Sequence, residues 1–148
     1  MANNAIKWET APNSRSTVLT TELNALANGA FTGIGTEINN SVNLDQWGVF
    51  DIVLASLTPT AGAYLKLYLV QCIGGTTYED APSSTNPGYH MEVAVVSVTT
   101  GAAAKRIQTA AFRLPLGKFK VVLLNGAGVA LGATLNTVTL YTGNDEVQ

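Results

Sequence analysis

The stretch Trp47-Gly-Val-Phe-Asp-Ile-Val-Leu-Ala-Ser-Leu57 decides the fold class, because its apolar side chains recur at every second position. Phe50, Ile52 and Leu54 fall on one face, and Asp51 falls on the other. A period of two residues is typical of a β-strand with one buried face, whereas an amphipathic helix needs a period of about 3.6 residues. The stretch therefore predicts a half-buried strand.

A second alternating stretch follows at residues 63–72, after a turn-like segment with one proline and one glycine at residues 58–62. Its leucines are predicted to face inward, and Tyr64, Lys66 and Tyr68 are predicted to face outward. Two alternating runs joined by a short turn are typical of a β-hairpin. We therefore expect these two strands to pair with each other.

The rest of the chain continues the pattern of short strands, with turn residues between them and no stretch that predicts a long helix. Residues 17–29 fit a short helix or an extended lead-in followed by a turn, and the β-rich composition at 17–21 favours the lead-in. A long loop is predicted at residues 74–88. About seven or eight short strands predict an all-β, jelly-roll-like antiparallel β-sandwich. The further predicted strands are residues 36–41, 89–99, 105–114, 118–124 and 134–142.

The 148 residues suit a single domain, since no linker composition divides them. Within that domain, residues 1–30 are expected to form an extended N-terminal arm and residues 31–148 the sandwich. Trp8 is an isolated aromatic residue in the polar arm. It fits either a plug against the chain's own core or an anchor in another subunit.

The composition suits a surface that neighbouring molecules cover. Apolar residues make up 47% of the chain and charged residues only 12%, about half of the usual share. A surface with few charges loses little hydration when it is covered, so it favours protein contacts. A single cysteine and the lack of an apolar signal segment favour folding in a cytoplasm, and no apolar run predicts a membrane partner.

Charge is distributed unevenly along the sequence. Residues 1–92 carry eight acidic and three basic side chains, whereas residues 93–144 carry five basic and no acidic side chains. This asymmetry fits docking against copies of the chain or against a charged lattice. Nucleic-acid binding is the competing interpretation, and the small excess of basic residues disfavours it.

Residues that could carry catalysis are sparse, which argues against an enzyme. His90 and Cys72 are the single histidine and cysteine, and neither lies in a catalytic motif, so no catalytic residue is predicted. They cannot form a four-ligand zinc site, and adjacent acids such as Glu79 and Asp80 are usually solvated, so no metal is predicted. The glycine-rich run at residues 126–132 departs from the dinucleotide fingerprint at its sixth position, so no cofactor is predicted.

Aromatic residues leave one alternative function open. Carbohydrate-binding modules with β-sandwich folds stack sugar rings on exposed aromatic side chains, and two tyrosines of residues 63–72 share a predicted face. Paired surface tyrosines also serve cross-strand packing and protein interfaces. The alternative is therefore a glycan-binding module. Its candidate residues are Trp47, Tyr64, Tyr68, Tyr78 and Tyr89.

Several stretches of the chain resemble a known family of proteins. The similarity covers roughly residues 30–140, and its motifs are structural. The similar stretches are Gly35-Thr-Glu-Ile-Asn-Asn-Ser-Val-Asn-Leu-Asp45 and residues 51–64, 67–70, 75–80, 113–121 and 125–130. These stretches resemble small virion proteins of tailed phages. The resemblance implies a jelly-roll-like capsid decoration, or cement, protein, and it makes the glycan-binding alternative a tail-associated or host glycan-binding module. A decoration protein of this kind binds the major capsid protein on the outer surface of the virion head, commonly as a trimer.

On this interpretation we expect three contact regions: the N-terminal arm, the long loop at residues 74–88, and the basic strands that follow it. Many modest contacts repeated over a lattice would together stabilise the shell. The residues assigned to contacts are Trp8, Tyr78, Arg106, Arg113 and Lys118.

Overall fold

The computed structural model describes residues 6–8, 14–79, 87–88 and 91–147. These residues form two antiparallel β-sheets packed as a sandwich, and they contain no α-helix. The all-β fold predicted from the alternating pattern is confirmed. No helix in the described ranges is long and apolar enough to cross a membrane.

The first sheet, sheet I, has two long central strands. Its strands are β3 (Ile38–Asn39), β5 (Tyr64–Ile73), β6 (Thr77–Tyr78), β7 (Glu92–Ser97) and β10 (Lys118–Gly126). Their order is β3-β10-β5, and β5 also pairs with β7 and, near its end, with β6.

The second sheet, sheet II, packs against sheet I. Its strands are β2 (Ser14–Leu19), β4 (Trp47–Leu57), β8 (Ala103–Gln108), β9 (Phe112–Arg113) and β11 (Thr137–Gly143). Their order is β2-β11-β4-β8, and β9 also pairs with β4. A separate two-stranded ribbon pairs β1 (Ile6–Trp8) with β12 (Asp145–Val147).

The eight main strands follow the order of a jelly roll. Counted along the chain as β2, β3, β4, β5, β7, β8, β10 and β11, sheet II holds the first, eighth, third and sixth strands side by side. Sheet I holds the second, seventh, fourth and fifth. Every connection between consecutive main strands therefore crosses from one sheet to the other, except the one from β5 to β7. This is the topology of two interlocked Greek keys.

The predicted hairpin of β4 and β5 is wrong. β4 lies in sheet II and β5 in sheet I, so the turn at residues 58–62 carries the chain across the core. The neighbours of β5 in the ladder are β10 and β7, with Tyr64 opposite Ser97. The alternating pattern states which face of a strand is buried but does not name its neighbour, and strands of two sheets can bury the same core.

Residues 14–30, assigned from the sequence to the N-terminal arm, join the sandwich. β2 pairs with β11, and one 3-10 turn follows at Thr21–Leu23, so the extended lead-in and turn are confirmed. Val18 and Leu19 are buried in the core. The Thr36 N–H donates to the Val18 carbonyl at 3.1 Å, which ties the chain that enters sheet I to the edge of sheet II.

The predicted strand at residues 105–114 is divided into β8 and β9. The Phe50 N–H donates to the Thr109 hydroxyl at 3.0 Å, and the Thr109 N–H donates to the Phe50 carbonyl at 3.0 Å. A threonine hydroxyl thus takes the place of a backbone carbonyl in the ladder. Local side-chain hydrogen bonds of this kind compete with regular pairing and leave no trace in the hydrophobic pattern.

The core between the sheets is formed by the side chains that alternate inward. Phe50, Ile52 and Leu54 of β4 are fully buried, as predicted, and so are Leu65 and Leu67 of β5. Burying one such side chain contributes roughly 1.5–3 kcal/mol to folding. The period of two in the sequence therefore locates most of the core.

A second apolar cluster lies on the outer face of sheet I. Tyr68, on the predicted outward face, is only 1% exposed because Phe31 and Met91 pack on that face. The ring centroids of Phe31 and Tyr68 lie 5.9 Å apart in an edge-to-face arrangement. The face predicted for Tyr68 is right and its exposure is wrong, since flanking segments cover this part of the sheet.

Asn125 fastens the loops at one end of the sandwich, which we call the far end and which includes residues 24–30 and 127–136. Its side-chain Nδ2 donates to the carbonyls of Leu26 and Val129, both at 2.9 Å. Its Oδ1 accepts a backbone N–H two residues further on at 2.9 Å. The side chain is fully buried and bonded on every side, so it holds the two loops in one arrangement.

The predicted loop at residues 74–88 contains the short strand β6. Gly74 and Gly75 turn the chain back onto β5 with φ angles of 69° and 87°, values that favour glycine. Residues 80–86 of this loop, with Asp80, lie outside the described residues, as do Tyr89 and His90.

Candidate functional site

The five residues assigned to contacts lie in three places. Tyr78 and Lys118 come together on the outer side of sheet I. Arg106 and Arg113 lie on sheet II, in β8 and β9. Trp8 lies in β1, and the structure describes its backbone alone. Three of the five predicted contact residues therefore lie on sheet II or the terminal ribbon, and the other two lie on sheet I.

Tyr78 and Lys118 meet through Glu37, and we call Glu37, Tyr78, Lys118 and Lys120 the clasp. The Tyr78 hydroxyl donates to the Glu37 carboxylate. Lys118 Nζ lies 3.0 Å from Glu37 Oε1, and Lys120 Nζ lies 4.5 Å from the centroid of the Tyr78 ring, within cation–π range. Because Tyr78 belongs to β6 and the lysines to β10, the clasp holds the β6 turn across β5.

The clasp shifts the pKa values of two of its members. The hydrogen bond from Tyr78, followed by that from Lys118, lowers the pKa of Glu37 below its ordinary 4.5. Loss of solvent, followed by the hydrogen bond to Glu37, raises the pKa of Tyr78 above its ordinary 10.0. At neutral pH the clasp therefore holds an ionised glutamate against a neutral tyrosine.

The two arginines on sheet II bind partners within the chain. Arg106 donates two hydrogen bonds to Asp51, from Nε at 3.0 Å and from Nη2 at 2.9 Å, and these bonds raise the pKa of Arg106. Asp51 is nearly buried beneath it. Arg113 stacks on the Trp47 ring at 4.1 Å and donates to Gln46 Oε1 at 3.0 Å. Trp47 therefore already holds a cation against its ring.

The remaining bases with described side chains also contact their own chain. Lys66 pairs with Glu92 at 2.9 Å, and Lys105 donates to backbone carbonyls of the loop before β8. Arg15 lies 5.6 Å from the centroid of the Tyr141 ring. With its described bases held in this way, the basic half of the sequence does not form an open basic stripe that would suit a phosphate backbone.

Exposed aliphatic side chains gather on two loops at the end of the sandwich opposite the far end. Val42 is 78% exposed, Leu44 53% and Leu116 72%, and we call these three residues the apolar tip. Asn40 joins their loops. Its backbone N–H donates to the Gly117 carbonyl at 3.2 Å, and its Nδ2 donates to the Pro115 carbonyl at 2.7 Å. The three side chains are thus presented from one fixed pair of loops.

A buried polar network lies beneath the apolar tip. Asn40 and Asp45 exchange hydrogen bonds: the Asp45 N–H donates to Asn40 Oδ1 at 2.9 Å, and Asn40 Nδ2 donates to the Asp45 carbonyl at 2.8 Å. The Asp45 carboxylate accepts hydrogen bonds from Thr142 Oγ1 at 2.5 Å and from Asn144 Nδ2 at 3.3 Å. Buried polar groups that are bonded in this way specify a single conformation of the loop above them.

Tyr64 is the exposed aromatic residue that remains from the predicted tyrosine pair. It is 37% exposed, and a Cβ atom placed on Gly126 would come within 2.6 Å of its ring. The ring therefore packs on the bare backbone of the glycine opposite it in β10. The predicted platform of Tyr64 with Tyr68 does not form, since Tyr68 is buried.

The candidate catalytic and metal-binding residues considered from the sequence do not form a reactive centre among the described residues. Cys72 lies opposite Tyr78 in the ladder of β5 and β6, and His90 lies outside the described residues. Within the described ranges, no three histidine, cysteine or acidic side chains stand close enough to hold a metal ion.

Comparison with known proteins finds distant structural neighbours. No protein-family model matches the chain, and no curated protein matches it. Among the solved structures that match is a carbohydrate binding module from Cellvibrio mixtus lichenase 5A, in complex with cellotriose. It shares 14% identity, with a TM-score of 0.43 over 97% of this chain and 98% of that chain. At this identity and score the likeness carries no argument about function.

Sequence reasoning missed the apolar tip and Glu37. The tip left a signal, because aliphatic residues stand singly in the polar loop Asn39-Asn-Ser-Val-Asn-Leu-Asp45 and beside Pro115 and Gly117. Glu37 left none, since its partners come from residues 41 and 81 positions further along the chain.

Proposed function

We propose that the protein is a capsid decoration protein of a tailed phage, a module without catalytic activity that binds the major capsid protein. It is located on the outer surface of the virion head and stabilises the shell. The proposal includes the homotrimer that the sequence resemblance implies. The jelly-roll topology supports it only as a scaffold, because this fold serves capsid proteins, lectins and enzymes alike.

The observation that carries the proposal is the state of the surface charges. The chain has few charged residues, and the seven bases whose side chains the structure describes all contact groups of their own chain. A surface of this kind gives up little hydration when another protein covers it, and it does not gather phosphates. It suits broad protein contact better than catalysis or nucleic-acid binding.

Binding to heads tests this proposal. Heads that lack the protein are prepared from a deletion strain of the phage, mixed with the purified protein and sedimented, and their heat stability is measured. We expect saturable binding and a higher temperature of DNA release, since many weak contacts add up over a lattice. Heads that neither bind the protein nor gain stability would refute the proposal.

Tyr64 favours a second candidate, a glycan-binding module. Its ring rests on Gly126 and is partly exposed, and Lys66 Nζ lies 6.0 Å from the ring centroid. An aromatic ring beside a hydrogen-bond donor is the arrangement on which sugars stack. A single such ring makes a smaller site than the aromatic pair expected from the sequence.

A glycan array with the Tyr64→Ala variant separates the two candidates. If the protein binds glycan, the wild type gives a signal that Tyr64→Ala loses, whereas Val95→Ala, which alters another exposed residue of sheet I, keeps it. A wild type without signal on the array would exclude the second candidate for the glycans displayed.

A further inference from the structure

We infer that the apolar tip is the anchor by which the protein attaches to the head, and that it inserts into an apolar pocket rimmed by carboxylates on the folded shell protein. This inference rests on the proposed function. It names the part of the surface that binds and the chemistry of the site that receives it.

The apolar tip is fixed before it binds. Leu44 has a φ of 53°, in the left-handed region that costs a leucine roughly 1–2 kcal/mol. Asn40 and Asp45 hold the loop in that conformation from below. A side chain already fixed in this way loses little entropy when it docks.

The size of the apolar tip also suits insertion into a pocket. Its three partly exposed aliphatic side chains expose far less area than the roughly 800 Å² that each partner buries in a stable interface between two copies. A projection of this size is the central anchor of a larger contact, where an aliphatic group fills a pocket and the surrounding surface excludes water. It is too small to hold a second copy by itself.

A positively charged side chain, Arg113, also lies beside the apolar tip. Arg113 adjoins one tip loop in sequence and bonds to Gln46 beside the other, and no described carboxylate pairs with it. Asp45 is the acid within these loops, and it is buried. On the side of Arg113 the rim of the tip therefore carries a positive charge, and carboxylates around the receiving pocket would complement it. Two copies docked tip to tip would instead bring their Arg113 residues together.

A lipid surface fits the tip less well. Membrane-binding loops combine apolar residues with clusters of several lysines or arginines. Here Lys118 pairs with Glu37 and Arg113 stacks on Trp47, so the tip has no such cluster among its described residues.

The test compares matched leucines at the two ends of the sandwich. Leu44→Asn removes an anchor, and Leu135→Asn is the control, because Leu135 is 81% exposed at the far end with a φ of 64°. Asparagine tolerates this backbone conformation, so we expect both variants to fold at least as stably as the wild type. Leu116→Ser is a second tip variant, at a position without positive φ. The probe is heads lacking the protein, used in co-sedimentation.

We expect Leu44→Asn and Leu116→Ser to raise the concentration for half-saturation of the heads about tenfold or more, as loss of a buried leucine implies, and Leu135→Asn to leave it unchanged. Wild-type binding that the tip variants match would overturn the inference and leave the proposed function standing. No wild-type binding would overturn both. Tip-dependent binding to vesicles of phosphatidylglycerol and phosphatidylcholine, or tip-dependent self-association in light scattering, would also overturn the inference.

Discussion

Asn125 shows how a single polar residue can hold two loops in place. Its amide replaces the water that the carbonyls of Leu26 and Val129 would otherwise bind, and it does so where no solvent reaches. Each buried polar group left without a partner costs about 1–3 kcal/mol. The far end of the sandwich therefore depends on this side chain more than on any one apolar residue of its loops.

We predict that Asn125→Ala lowers the free energy of unfolding by about 2–4 kcal/mol, because three backbone groups lose their partner together. Asn28→Ala is the matched control: Asn28 accepts the Gly128 N–H at 2.8 Å on the exposed side of the same loops, and its loss is expected to cost under about 1 kcal/mol. Urea denaturation measures both. Equal losses in the two variants would contradict the role given to Asn125.

Single residues also mark the limit of what the sequence foretold. Phe50, Ile52 and Leu54 were predicted to be buried because alternation alone determines the face of a strand. Asn125 precedes a glycine, and this pair is typical of turns, so the sequence gives no sign of a buried role. Its role depends on Leu26, 99 positions earlier in the chain, and no local pattern reports such a partner.

Among the elements, β6 depends most on side chains outside its own ladder. It has two residues, and its register joins Cys72 to Tyr78 at the end of β5. A pair of strands this short is marginal in water. The clasp supplies what the ladder lacks, by holding Tyr78 against Glu37 and Lys120.

The clasp is predicted to hold β6 only between acid and strongly alkaline pH. The pKa of Glu37 is lowered in the fold, so its contribution is present above its ordinary value of 4.5 and is lost as the pH falls through the lowered value. The pKa of Tyr78 is raised, so its contribution is present below the ordinary 10.0 and is lost as the pH rises through the raised value.

Hydrogen exchange of the Glu79 amide, which donates to the Gln71 carbonyl at 3.1 Å, reports on this opening. We expect its protection to fall in acid in the wild type, and to be several-fold weaker at neutral pH in Glu37→Gln. Glu22→Gln is the control, since Glu22 accepts the Thr20 N–H at 2.9 Å and takes no part in the clasp. Unchanged protection in Glu37→Gln would show that the ladder alone holds β6.

The sequence located most of the elements but not their neighbours. The bounds predicted for β4 agree with the structure, and those for β5 differ by one residue. The pairing of the two was wrong because strands of two facing sheets show the same alternation as strands of one sheet. Paired strands in a jelly roll lie far apart in the sequence, so the composition of a single segment does not identify its partner.

At the scale of the whole molecule, the crossing connections make the two sheets dependent on each other. Neither sheet is built from one continuous part of the chain, since its main strands alternate in sequence with those of its partner, apart from β5 and β7. Such a sandwich has no half that could fold independently.

The position of β11 has a consequence for how the protein is made. β11 lies between β2 and β4, so the interior of sheet II is completed by residues 137–143, which are synthesised long after both of its neighbours. Until then β2 and β4 have open edges where their shared partner belongs, and such edges can pair with other nascent chains. Completion of sheet II must therefore wait until β11 has left the ribosome, and a chain halted before residue 137 would be left for chaperones and proteases to remove.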